Sequence, residues 1–275
     1  MFFILANITT NCQMDASEFE GMIYTMLSEE PFSYHILDMT DGNEESTISG
    51  YLSHNFSITI GETWTCLTCE TKTIPKVSKE FSLILSLEQN FEYGKKLRQI
   101  SHEKKTHLGK SCVTMKDLMN KFYETNELSD VICDECSNAS GTEQKYDFET
   151  KQSLVTAPMQ LRISIQRTEY NVETDSFCKN KTKIALAAQY FLSCPNDHKL
   201  IYVLVSIKYH IGNDLDQGQY ICDVLDYNTG TWWKCDDEIV TKYPGYPMNV
   251  YNEVSSDKKR KKKDMIWMYQ KVLSP

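Results

Sequence analysis

LIYVLVSIKYHIG, residues 200–212, is a nearly continuous apolar run rich in β-branched and aromatic side chains. Its lack of strict alternation predicts a strand buried on both faces. The segments around it supply partners. QYICDVLDY (219–227) and TWWKCDDE (231–238) are two further strand patterns joined by NTG, a hairpin-like turn. QLRISIQR (160–167) alternates and predicts another strand, and DMIWMYQKV (264–272) predicts a closing one.

Upstream, the pattern changes. QMDASEFEGMIYTMLS (13–28) places Phe19, Met22, Ile23, Met26 and Leu27 at helical spacing, with TTN before it as caps. Residues 29–50 read as polar loop, with DGNEES as a turn signal. HNFSITIGETWTCLTCETKTIPKVSKEFSLILSLE (54–88) predicts two or three strands, and 89–112 a charged surface excursion. TMKDLMNKFYET (114–125) returns to helical spacing through Met115, Leu118, Met119 and Phe122, with Thr114 as a cap. Helices first and strands later make an α+β fold.

Two cysteine pairs stand out, Cys66 and Cys69 in TCLTC, and Cys133 and Cys136 in ICDEC. Two intervening residues let both sulfurs of a knuckle face one point. Two knuckles supply four thiolates, a tetrahedral set for structural zinc at ~2.3 Å. The pairs lie too far apart in sequence for a compact ribbon, so the knuckles belong at the tips of strands that meet in space. The alternatives are redox-active dithiols or knuckles that no longer hold metal. A thioredoxin-like dithiol would want a βαβ setting, which the pattern does not show. Cys12, Cys112, Cys178, Cys194, Cys222 and Cys235 are read as small buried hydrophobes.

Composition narrows the function. A chain of 275 residues with 41% hydrophobic and 24% charged residues is globular in character. Its net charge of −9 weighs against a chain-wide nucleic-acid surface. No apolar run reaches the ~18 residues of a membrane-spanning helix. The opening MFFILANITT lacks a basic region and a small-residue cleavage site, so it reads as a core segment or the edge of a truncated domain. The basic run at Lys258–Lys263, KKRKKK, reads as a solvated connection or a nuclear-import signal.

In order along the chain, these pieces resemble the ubiquitin-specific proteases, a family of papain-like thiol peptidases. QMDASEF (13–19) resembles the family's Q-x-D-A-x-E-F helix, and CLTC and CDEC its two zinc knuckles. MKDLMNKFYETNEL (115–128) resembles the helix before the second knuckle, and APMQLRISIQR (157–167) the P-x-x-L-x-I-x-x-x-R strand. YVLVSIKYHIG (202–212) resembles the Y-x-L-x-x-V-x-x-H-x-G strand. QGQYICDV (217–224) with WWKCDDEIV (232–240) resembles the last active-site box.

The resemblance implies thumb, zinc-tipped β fingers and an antiparallel β palm. Residues 1–50 would be the thumb remainder, 51–157 the fingers and 158–275 the palm. It implies ubiquitin or a related modifier as partner and the cytoplasm or nucleus as location. It also implies hydrolysis after ubiquitin's C-terminal glycine by a Cys nucleophile, a His base and an orienting Asp or Asn. Asp236 matches the orienting position, with Asp237 beside it, and His210, Gly218 and Tyr220 match the channel for the ubiquitin tail.

Gln219 stands where the family has its His. An amide does not titrate and cannot act as a general base. The family's N-x-C nucleophile box falls upstream of the first residues here, and Cys12 precedes the wrong helix to replace it. Loss of one such group can cost a factor of about 10⁶ in turnover. The expectation is therefore an impaired or inactive family domain. It would be a ubiquitin-binding scaffold or a truncated version of a longer active enzyme. A zinc-ribbon nucleic-acid binder is the less favoured alternative. With part of the thumb missing, the first helix would expose its apolar face and limit solubility.

Overall fold

The computed structural model describes residues 16–29, 48–73, 75–87, 112–171, 175–180, 183–185, 188–194, 197–211, 218–243 and 262–271. The expected TTN caps, Cys12, the excursion at 89–111, Gly212, Gln217 and most of the basic run lie outside them. Lys262, near the end of that run, opens the last strand.

Two helices come first, α1 (Ala16–Glu29) and α2 (Ile48–Phe56). Then follow β1 (Ile58–Cys66), β2 (Lys76–Glu80), β3 (Leu83–Ser86), β4 (Cys112–Thr114), α3 (Met115–Phe122), β5 (Thr125–Ile132), α4 (Asp134–Ser140) and β6 (Lys145–Thr156). The remainder is all strand: β7 (Gln160–Gln166), β8 (Thr168–Asn171), β9 (Ser176–Lys179), β10 (Lys183–Ala185), β11 (Gln189–Cys194), β12 (Asp197–Ile211), β13 (Gln219–Asp226), β14 (Thr231–Asp236), β15 (Ile239–Lys242) and β16 (Lys262–Lys271).

The opening apolar run becomes β12, the axis of an eight-stranded sheet. Its order is β15-β14-β13-β12-β16-β7-β3, with β11 also on β12. β16 pairs with β12 along one edge, from Tyr202 to Ile211. β11 and β13 therefore share the other edge, β11 along residues 200–203 and β13 along 206–211. The last strand is central, inserted between β12 and β7. All pairings in this sheet are antiparallel except β3 with β7, which is parallel.

The main core lies on one face of the sheet. Leu161, Ile163 and Ile165 of β7, Leu83 and Leu85 of β3, Tyr209 of β12 and Trp232 of β14 all join it. α3 closes it with Met115, Leu118 and Met119. Thr114 caps that helix as expected. Its hydroxyl receives the Asp117 N–H while Asp117 Oδ2 receives the Thr114 N–H, a reciprocal capping box.

Two details differ from the sequence reading. QLRISIQR does not bury alternate residues, because Arg162 and Ser164 are buried as well as their odd-numbered neighbours. The reason is α1. Glu20 on that helix pairs with Arg162 at 2.8 Å and also with Lys208 of β12. The Arg162 guanidinium lies 5.8 Å above the Tyr24 ring. The second face of the sheet is thus covered by helix, and its polar residues are charge-paired rather than solvated. Tyr24 also stacks on Phe81 at 5.2 Å and leans on Phe56 at 5.3 Å. The expected apolar face of α1 is half-buried rather than buried, since its tightest contacts run through Glu20 and Tyr24.

The second difference is α2, which falls within residues read as loop and strand. Leu52 and Phe56 lie one helical turn apart and face inward, but Gly50 before them and Ser53, His54 and Asn55 between them mask the period.

The arginine that closes the P-x-x-L-x-I-x-x-x-R pattern ties down the end of β7. Arg167 Nη1 donates to the Asn180 carbonyl at 3.2 Å, and Asn180 Nδ2 donates to the Leu87 carbonyl at 3.0 Å. The pattern's proline is held too, since Tyr202 Oη donates to the Pro158 carbonyl at 2.5 Å.

β3 tests this architecture directly. Leu85 is 2% exposed and its neighbour Ile84 is 61% exposed. Leu85→Ala should cost about 2–5 kcal/mol in denaturant unfolding, and Ile84→Ala under ~1 kcal/mol. Equal costs would show that the strand is turned over.

Candidate functional site

Two clusters of chemically capable residues stand out. The first sits where β13 begins and β14 ends, which antiparallel pairing brings side by side. Cys222 faces Cys235 across this pair, so Gln219, three residues back, comes level with the turn after Asp236. Asp237 makes that turn with a positive φ of 52°, a conformation Asp tolerates better than most residues. Gln219 Nε2 donates to Asp236 Oδ1 and to Asp237 Oδ2, each at 2.7 Å. Lys234 Nζ takes the other Asp236 oxygen at 2.6 Å.

The resemblance matches Asp236 to an orienting position beside Gln219, and the structure brings the two side chains together. Lys234 was not anticipated. Its signal was available, because residues two apart on a strand share a face and K-x-D therefore places cation and carboxylate together.

The amide reproduces one half of what an imidazole does here. It donates N–H to the carboxylate. It offers no nitrogen that takes up a proton, so the cluster as built can orient but not act as a base.

Gly218, His210 and Tyr220 form the wall beside it. His210 is 2% exposed and pairs across the strands with Tyr220, their rings 4.9 Å apart. A Cβ at position 218 would meet His210 Nε2 at 2.1 Å and the Ile211 carbonyl oxygen at 2.5 Å. Both partners are held in place, one buried and one backbone, so only glycine passes. His210 is enclosed by this packing.

The second cluster is at the far end of a separate four-stranded sheet, order β2-β1-β6-β5. Cys66 ends β1 and Cys69 lies in the turn after it; Cys133 and Cys136 follow β5 at the start of α4. The four sulfurs lie within 4.8 Å of one another. Cys66 Sγ is 3.9 Å from Cys136 Sγ, and Cys69 Sγ is 3.6 Å from Cys133 Sγ. Four thiolates on one tetrahedral zinc would be spaced at ~3.8 Å, given Zn–S of ~2.3 Å. The two Sγ–Sγ distances of 3.9 and 3.6 Å match that spacing, so the donor set suits such an ion.

The first knuckle is shaped by backbone bonds, Cys66 N–H to the Thr71 carbonyl at 3.0 Å and Glu70 N–H to the Cys66 carbonyl at 2.9 Å. Phe148 and Trp64, edge to face at 6.3 Å, pack around the sulfurs in a small core of their own. Hydrogen bonds from the Thr71 side chain and backbone hold the Cys69 thiol down to about 6. Burial and neighbouring thiols push Cys136 well above the ordinary range.

The family model "Ubiquitin carboxyl-terminal hydrolase" matches residues 4–269. "Ubiquitin hydrolase B" of Dictyostelium discoideum is 24% identical over 245 residues, covering 85% of this chain and 52% of that protein. "Ubiquitin carboxyl-terminal hydrolase 26" of Arabidopsis thaliana is 35% identical over 54 residues, covering 20% of this chain and 5% of that protein. Among solved structures, the SAGA Ubp8/Sgf11/Sus1/Sgf73 DUB module bound to ubiquitin aldehyde superposes with a TM-score of 0.67. The identity there is 17%, over all of this chain and 52% of that one. The fold is therefore that of the deubiquitinase catalytic domain, and the chain spans about half the length of the relatives it matches most broadly.

The hairpin that carries the first cluster has its own pH signature. Its turn is pinned by Asp226, whose carboxylate accepts the Thr229 hydroxyl at 2.6 Å and the Asn228 N–H at 3.0 Å. The Thr229 bond is the main reason its pKa falls below 3.8. A group with a depressed folded pKa adds stability above its unfolded pKa and loses it as pH falls through the folded value. Asp226→Ala should therefore lower Tm at neutral pH, with the gap to the parent closing in acid. A gap independent of pH would exclude this ionised cap.

Proposed function

The chain belongs to the ubiquitin carboxyl-terminal hydrolase family, and on that footing we propose that it recognises ubiquitin or a ubiquitin-like conjugate without cleaving it at a useful rate. The observation that carries this is Gln219, whose amide is committed to Asp236 and Asp237 at 2.7 Å each. In the family chemistry a base takes the proton of the attacking thiol and later returns it to the leaving amine. The residue in the base position here keeps the hydrogen bond and lacks the titration. Loss of such a group costs turnover by orders of magnitude and leaves binding surfaces in place.

On this reading Asp236 is the orienting carboxylate, left holding an amide. Gly218, His210 and Tyr220 line the path of the modifier's C-terminal tail, where a side chain at 218 has no room. Cys66, Cys69, Cys133 and Cys136 would hold structural zinc, which when bound fixes the tip of the finger sheet. Zinc thiolates suit a reducing compartment, the cytoplasm or nucleus.

The test combines binding and turnover. Ubiquitin titrated onto the zinc-loaded chain should bind with a Kd of ~1 μM or tighter. A fluorogenic ubiquitin amide should stay intact. Measurable hydrolysis would overturn the loss of turnover, and absent binding by a folded, zinc-loaded chain would overturn recognition.

The metal assignment has its own readout. The chain should hold one zinc per molecule, and a chelator should lower Tm cooperatively. Cys136→Ser should abolish zinc retention. A chain that melts identically with and without chelator would exclude a structural ion.

A further inference from the structure

Cys222 and Cys235 belong to neither cluster and have no part in the reading above. They are directly opposed partners in the antiparallel β13–β14 pair, and both are half-buried free thiols. Opposed residues in such a pair project from the same face with Cα atoms ~4.5–5.5 Å apart. A disulfide accepts Cα separations of ~4.4–6.8 Å. The two backbones are therefore already in place. Cys222 Sγ also lies 3.3 Å from Ser206 Oγ on the neighbouring strand, which shows the thiol on the helix-covered face with Lys208. By period-two alternation, Gln219 and Asp236 project from the opposite face of the same two strands. Asp236 follows Cys235 directly.

We propose that Cys222 and Cys235 form a redox-responsive pair, oxidised by a small-molecule disulfide such as glutathione disulfide to a cross-strand bond that staples the strands carrying Gln219 and Asp236. The Cys235 thiolate attacks one sulfur of glutathione disulfide, displacing a glutathione thiolate and forming a mixed disulfide. The Cys222 sulfur then attacks Cys235, displacing the second glutathione, and its proton goes to that leaving group. Two protein thiols are oxidised and one glutathione disulfide is reduced to two thiols. Burial pushes the Cys222 thiol up, which suits it to the second, intramolecular step rather than the first. The bond closes the hairpin around the Asp226–Gly230 turn, so oxidation holds the geometry beneath the Gln219–Asp236 contact. In a reducing compartment the pair stays open, as in this structure.

Peptide mapping reads the outcome without ambiguity. Lys208, Lys234 and Lys242 place Cys222 and Cys235 on different tryptic peptides, Tyr209–Lys234 and Cys235–Lys242. The zinc-loaded chain is equilibrated with increasing glutathione disulfide, alkylated, and digested without reduction. The expected result is joint loss of both free thiols and a linked peptide pair lacking two hydrogens, reversed by dithiothreitol. In Cys222→Ser the second step is removed, and Cys235 should instead retain glutathione. A parent chain that keeps both thiols free, or carries separate glutathione adducts with no linked pair, overturns the proposal. A Cys222→Ser chain that takes up no glutathione overturns the order of attack.

Discussion

The constraint on which the rest depends is that β12 is paired along both edges and covered on both faces. A strand so placed has no freedom of register, because a slip of one residue would turn Tyr202, Leu204, Ile207 and Tyr209 from one environment to the other. With β12 fixed, β13 is fixed by it, and Gln219 must fall opposite Ile211. β14 is then fixed by β13, which delivers Asp236 to the amide. The small residue at 218 is the price of this closure, since the chain re-enters the sheet against a buried His210. The site is thus a consequence of sheet register rather than of local loop chemistry.

The finger sheet follows a different logic. Two of its four strands, β2 and β5, are exposed almost throughout. Its only compact centre among the described residues, besides where β1 and β6 reach the main core, is the sulfur cluster with Phe148 and Trp64. Such a sheet buries too little apolar surface at its tip to hold two knuckles together by packing alone. Four thiols drawn within 4.8 Å there form the donor set that could join the two knuckles through one cation.

What was legible in the sequence was local or chemically loud. The NTG hairpin, the Thr114 cap, the double-faced strand at 200–211 and the paired cysteines each carry their signal within a few residues. What was hidden is non-local. Nothing in DMIWMYQKV says that it enters between β7 and β12, nor does LILS announce a parallel partner. Arg162 looks like the solvent-side member of an alternating strand until Glu20 arrives from a distant helix. Lys234 lies outside the motif residues, yet its two-residue spacing from Asp236 is a local signal that puts both on one face of β14. The family resemblance supplied the order of the segments, and the strand partners explain why that order works.

Gln219 is informative for the contacts it makes. Two carboxylates beside one another on a partly exposed sheet end repel, and some donor must sit between them. A neutral amide reaches both, and Lys234 neutralises one from the other side. An aliphatic residue there would leave Asp236 with Lys234 alone and would take from Asp237 the donor that Gln219 supplies. Glutamine thereby joins the start of β13 to the turn after β14, and the register set by β12 brings the three groups to one point.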